Sequence, residues 1–74
     1  MNKLDTTISY YRDKAGFTQK QIADLLDIPR TTMSFYETKR SYPDIEIAEK
    51  IAEIINQPIG KLYSVQEIEL MKTK

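Results

Sequence analysis

The sequence has no cysteine, which excludes a disulfide framework and any thiolate metal site. It has no histidine either, so imidazole zinc sites, Ser-His and Cys-His nucleophile pairs and imidazole proton shuttles are absent. Only two glycines and three prolines punctuate 74 residues, and hairpin dipeptides such as Asn-Gly are missing. No apolar run approaches the roughly 20 residues of a membrane span, and no basic-then-apolar start reads as a signal peptide. The expectation is a soluble, cytoplasmic chain with no catalytic residue, no metal, no cofactor and no membrane contact. A chain this short buries only roughly 60% of its unfolded surface. Close helix packing, self-association or a partner must therefore supplement the core.

The formal charge sums to zero, from 11 basic and 11 acidic residues. Its distribution is uneven: through Arg40 the excess is +2, and from Ser41 onward it is −2. A shift of this size is weak evidence alone, because solvated faces vary as much.

Apolar residues recur at helical spacing throughout, which predicts an all-α domain. Leu4, Ile8, Tyr11 and Ala15 share one face of a first helix, and Gly16 suits the positive φ that ends it. Thr18 and Gln21 form a capping box for the second helix, with Phe17 and Ile22 at the spacing of a hydrophobic staple. That helix runs to about Leu26. Asp27 marks the break, as aspartate tolerates the left-handed conformation. Pro29 opens a third helix ending near Thr38. Asp44 caps a fourth, lined by Ile45, Ala48, Ala52 and Ile55 with Ile51 alongside, and Asn56 ends it. Pro58 begins a short fifth helix carrying Ile59, Leu62 and Tyr63. Residues 1–64 then form one domain, and residues 65–74 are a tail that either continues as helix or frays.

Two short helices joined by a tight turn make the unit that enters the DNA major groove. Residues 19–38 supply one: Ile22, Leu26, Ile28, Met33 and Tyr36 stand where apolar side chains lock the pair, and Ala23 permits close approach. On the third helix Met33 and Tyr36 point one way. Arg30, Thr31, Ser34, Phe35 and Thr38 cover the opposite arc. Arginine reads guanine bidentately, hydroxyls donate and accept, and an aromatic contacts the thymine methyl. An ordinary solvated face is the competing reading, and the exposed Phe35 weighs against it.

From about Ile8 to Tyr63 the sequence resembles the Cro/CI-type helix-turn-helix family of bacterial and phage repressors. The resemblance rests on Arg12, Gly16-Phe17-Thr18-Gln19, Ile22-Ala23, Ile28, Tyr36-Glu37, Arg40, Pro43, Ile51-Ala52 and Leu62. It implies a compact, lambda-repressor-like bundle of about five helices that binds double-stranded operator DNA, generally as a dimer. It also implies base reading by Arg30, Thr31, Ser34 and Phe35. Phosphate contacts are implied for Thr18 and Gln19 at the second helix, and for Thr38, Lys39 and Arg40 after the third. Tyr42 can reach a phosphate through its hydroxyl. Arg12 and Glu37 match the family's pairing of a first-helix arginine with the glutamate closing the recognition helix; an Arg12–phosphate contact is the alternative. Three positions depart from the family pattern. Asp27 replaces the turn glycine, Pro29 the hydroxyl cap of the third helix, and Lys39 the glycine after it.

The resulting expectation is a sequence-specific transcriptional regulator, most simply a repressor at a palindromic operator. A homodimer is expected through the C-terminal third, because Ile47 and Ile54 lie off the inward face of the fourth helix. Ile59, Tyr63, Val65, Ile68 and Met71 add apolar surface beyond what one small core absorbs. The alternative is a tail that folds back over these residues. A rival from another class is an antitoxin-type protein-interaction module that also binds its own promoter.

Overall fold

The computed structural model describes residues 7–73. Among them are six helices and no strand: α1 (Thr7–Lys14), α2 (Gln19–Leu26), α3 (Arg30–Glu37), α4 (Ile45–Ile54), α5 (Ile59–Leu62) and α6 (Val65–Lys72). Leu4, expected on the face of the first helix, lies outside the described residues. No described helix is long and apolar enough to cross a membrane.

Four of the helices end in the same way. After α1, α2, α3 and α4 the chain turns through Gly16, Asp27, Lys39 and Asn56, with φ of 88°, 59°, 62° and 60°. In each turn the amide of the residue after the positive-φ position bonds back five residues. Phe17 N donates to Arg12 O, Ile28 N to Ala23 O, Arg40 N to Phe35 O and Gln57 N to Ala52 O, at 2.9–3.2 Å. This pattern closes the last turn and satisfies carbonyls that the helix leaves unpaired. Only the first turn uses glycine. The other three accept the crowding of a Cβ in the left-handed region.

Helix starts follow their side chains. The Thr18 hydroxyl accepts from Gln21 N while the Gln21 side chain accepts from Thr18 N, a complete capping box. Asp44 caps α4 by accepting from Ile47 N. Pro29 and Pro58 open α3 and α5 with extended backbone and no side-chain bond. Ser64 and Glu67 form a second capping box at the start of α6. Residues 65–72 are therefore helical rather than frayed.

The core joins every helix. Ile8, Ile22, Ala23, Leu26, Met33, Ala48, Ile51, Ala52, Ile55, Leu62, Tyr63 and Met71 are buried together. Three expectations are corrected here. Ala15 is exposed, because α1 ends at Lys14 and the chain is already turning toward Gly16. Tyr63 is only 2% exposed: it packs into its own chain's core and offers no surface to a second copy. Met71, expected to add surface for a second copy, is buried as well, because α6 folds back on the domain.

Candidate nucleic-acid interface

The α2–α3 pair is locked from within. Ile22, Ala23, Leu26 and Met33 are buried, with Ile28 and Tyr36 half-buried against them. The turn between the helices is held by Asp27 N to Asp24 O and Ile28 N to Ala23 O. With one face of α3 spent on the core, Arg30, Thr31 and Phe35 are left exposed on the other, and Ser34 is partly so. Phe35 keeps 43% of its surface in solvent. Thr38 closes α3, its hydroxyl donating to Ser34 O at 3.0 Å.

Beneath this face runs a chain of polar contacts centred on Glu37, which is 3% exposed. Arg12 Nε donates to Glu37 Oε2 at 2.6 Å, and Arg12 Nη1 donates to the Phe17 carbonyl at 2.7 Å. The amide nitrogen of Gln19 donates to Glu37 Oε1 at 3.1 Å, and Arg30 Nη1 donates to Gln19 Oε1 at 3.0 Å. A buried carboxylate needs such compensation, since an unpaired charge in the interior is costly. The network ties α1, α2 and α3 together and ends at the exposed guanidinium of Arg30. Gln19 is thus committed on both ends of its amide within the free protein. The sequence marks Arg12 with Glu37, but the links through Gln19 leave no periodic trace.

The residues after α3 divide into two groups. Arg40 is exposed, and its guanidinium carbon lies over the Phe35 ring, 5.0 Å from the centroid. Lys39 turns the other way. Its ammonium bonds both oxygens of Glu67 on α6, at 3.0 and 3.1 Å, and stands 4.8 Å from the Tyr63 ring centroid. Tyr42 donates its hydroxyl to Glu67 Oε2 at 2.6 Å. Lys39 and Tyr42, expected at the DNA backbone, are therefore drawn onto α6, because Glu67 supplies a nearer anion. Glu67 is absent from the sequence-based site. Its signal was available in Ser64-Val65-Gln66-Glu67, a capping box of the same form as that at Thr18.

Electrostatics follow from these contacts. Burial alone raises the Glu67 carboxyl. Bonds from the Tyr42 hydroxyl, the Ser64 amide and Lys39, with the ammonium charge, more than reverse this and hold it down at about 2. The hydrogen bond to that carboxylate is the chief reason the Tyr42 phenol is raised, with burial second. Burial is the leading cause of the large upward shift at Tyr63, whose hydroxyl has no hydrogen-bond partner. Among the described residues no group of three or more acidic side chains is placed to hold a metal ion.

The expected dimer residues are more covered than the sequence implies. Ile47, Ile54, Ile59 and Ile68 are all half-buried against the core of their own chain. Exposed apolar surface in this third of the chain comes instead from Val65 and Leu70 of α6.

Comparison with known proteins agrees with this architecture. A family model for the helix-turn-helix matches residues 8–62. An uncharacterized HTH-type transcriptional regulator of Archaeoglobus fulgidus is 34% identical over 67 residues, spanning 90% of this chain and 96% of that protein. A second protein of the same description and organism is 30% identical over 71 residues, covering 96% of this chain and all of the relative. Both relatives are archaeal rather than bacterial or phage proteins. No solved structure matches the chain. With the family model spanning most of the chain and the locked α2–α3 pair at its centre, the chain belongs to the Cro/CI-type helix-turn-helix family, a family of DNA-binding regulators.

Proposed function

We propose that the protein is a DNA-binding transcriptional regulator that acts in the cytoplasm as a repressor, occupying a palindromic operator as a homodimer. The observation that carries this reading is the division of α3 into a face spent on the core and a face bearing Arg30, Thr31, Ser34 and Phe35 in solvent. Those four side chains read base edges. Thr18 and Gln19 at the start of α2 and Thr38 at the end of α3 meet the flanking phosphates, helped by amides at the α2 N-terminus. Lys39 and Tyr42 join them only where DNA phosphate displaces Glu67.

Repression needs nothing beyond occupancy of the promoter, and the surface described is sufficient for occupancy. A homodimer is required by information content, because one recognition helix spans only a few base pairs and two-fold pairing doubles the sequence read. The C-terminal third supplies the contact through Val65 and Leu70, with the edges of Ile47, Ile54, Ile59 and Ile68.

The experiment is selection of bound duplexes from random DNA with the purified protein. Enrichment of an inverted repeat with half-sites about one helical turn apart is expected. Recovery of a single unrepeated site overturns the dimeric part of the reading, and no enrichment at all overturns sequence-specific binding. A promoter carrying the selected site upstream of a reporter then distinguishes repression from activation.

A further inference from the structure

The turn after α3 leaves Arg40 in an unusual setting for a residue next to the DNA face. Its backbone is pinned, with Arg40 N donating to Phe35 O at 2.9 Å and Ser41 N reaching the same carbonyl at 3.4 Å. In most such turns an apolar side chain at this place packs back on the last turn of the helix. Here the guanidinium does so, covering the exposed Phe35 ring at 5.0 Å. A cation over an aromatic face is held by the ring quadrupole, so the side chain loses rotamer freedom before any DNA arrives. The donors of its side chain stay unspent: among the described residues none accepts a hydrogen bond from the Arg40 guanidinium or forms an ion pair with it. Lys39, one residue earlier, is bound to Glu67 on both oxygens.

A flexible cation suits a phosphate, which needs charge near a broad, sequence-independent target. A held guanidinium fork with free donors suits the guanine edge, which needs two donors in a set direction. The neighbouring ring is the group that packs on a thymine methyl. The 5.0 Å between ring and guanidinium lies between one and two base-pair rises of roughly 3.4 Å, so the two groups stay within reach of neighbouring pairs.

Resting on the DNA-binding reading above, we infer that Arg40 is a specificity-determining residue. Stacked on Phe35, it reads a guanine next to the thymine that Phe35 contacts, and the two side chains together select adjacent T·A and G·C pairs. Sequence reasoning assigns Arg40 to phosphate; the stack on Phe35 moves it to the base-reading set. Phe35 then has two tasks, its own methyl contact and the positioning of Arg40.

The test measures binding of the wild type, Arg40→Gln, Phe35→Leu and the double variant to the selected operator and to single-base variants of it. Circular dichroism accompanies each protein, and both positions are exposed on a helix end, so folding is expected to be retained. In the wild type, replacing the guanine costs about tenfold or more in affinity. Arg40→Gln removes that discrimination while weakening binding to random DNA little. Phe35→Leu, which keeps apolar bulk but no ring, lowers discrimination at the same guanine several-fold, and the double variant loses no more there than Arg40→Gln. Exchanging the thymine for uracil weakens the wild type about threefold or more through loss of the methyl. Equal weakening by Arg40→Gln on operator and random DNA makes Arg40 a phosphate contact and overturns the inference, with the DNA-binding reading intact. Guanine discrimination untouched by Phe35→Leu overturns the positioning role. A wild type without any base preference removes the underlying reading and this inference together.

Discussion

Glu37 shows how much one buried charge organises. It receives Arg12 Nε and the Gln19 amide, and Gln19 in turn receives Arg30. Glu37→Ala strands the Arg12 guanidinium beside the core and is expected to cost about 3 kcal/mol in urea melts. The Arg12→Ala/Glu37→Ala double variant should be less damaged than the sum of the singles, and strict additivity would refute the pairing. Tyr63 presents the opposite case, a buried hydroxyl that no neighbour satisfies. Tyr63→Phe removes that unmet group without opening a cavity and is expected to raise stability by about 1 kcal/mol. A lower urea midpoint for this variant would reveal a bond to the hydroxyl. Arg12 with Glu37 was legible from the family pattern. Tyr63 was misread as interface, because its spacing gives apolarity but not which of two surfaces covers it.

Among the elements, the shared helix ending is the most exploitable feature. Asp27 sits at φ 59° with a Cβ that crowds the following carbonyl. Asp27→Gly relieves this, and about 0.5–1 kcal/mol of added stability is expected once the greater freedom of unfolded glycine is deducted. Gly16→Ala tests the converse. No atom beyond its own chain neighbours lies within 4 Å of where its Cβ would stand, so the whole expected loss of about 1 kcal/mol comes from the local backbone at φ 88°. A loss below a few tenths would mean that this turn relaxes freely. These boundaries were legible because capping and turn chemistry act within six residues. The docking of α6 was not, since Lys39 and Tyr42 meet Glu67 across 28 and 25 residues of chain.

That same docking sets the acid sensitivity of α6. The Glu67 carboxyl is held at about 2 in the folded chain, well below the ordinary unfolded carboxylate near 4.3. A depressed folded pKa stabilises the protein above the unfolded value, and the contribution is lost as pH falls from about 4.3 toward 2. Urea midpoints measured across that window should fall for the wild type. They should fall less steeply for Glu67→Gln, which starts lower at neutral pH. Identical slopes would mean that Glu67 does not titrate with folding.

For the whole molecule, a small core and zero net charge make association the remaining question. A monomer of this chain has few free cations with which to hold DNA, as Lys39 is engaged by Glu67. Sedimentation at micromolar concentration is expected to show a dimer, and Val65→Glu with Leu70→Glu on α6 should shift it to monomer while leaving helicity unchanged. A wild-type monomer under these conditions would confine dimerisation to operator-bound protein. The all-α bundle and its central helix pair were readable from period and caps. The surface left for a partner was not, because it depends on how α6 covers the residues before it.

Heating alters the balance at the Arg12–Glu37 junction differently from the apolar core around it. Stripping water from the two charges becomes cheaper as temperature rises, because their hydration carries a strongly negative entropy, while the gain from apolar burial levels off. The seam between α1 and α3 therefore carries a growing share of the cohesion as the chain warms. The last turn of α3 is thus anchored by a contact that warmth erodes less than the apolar packing beside it.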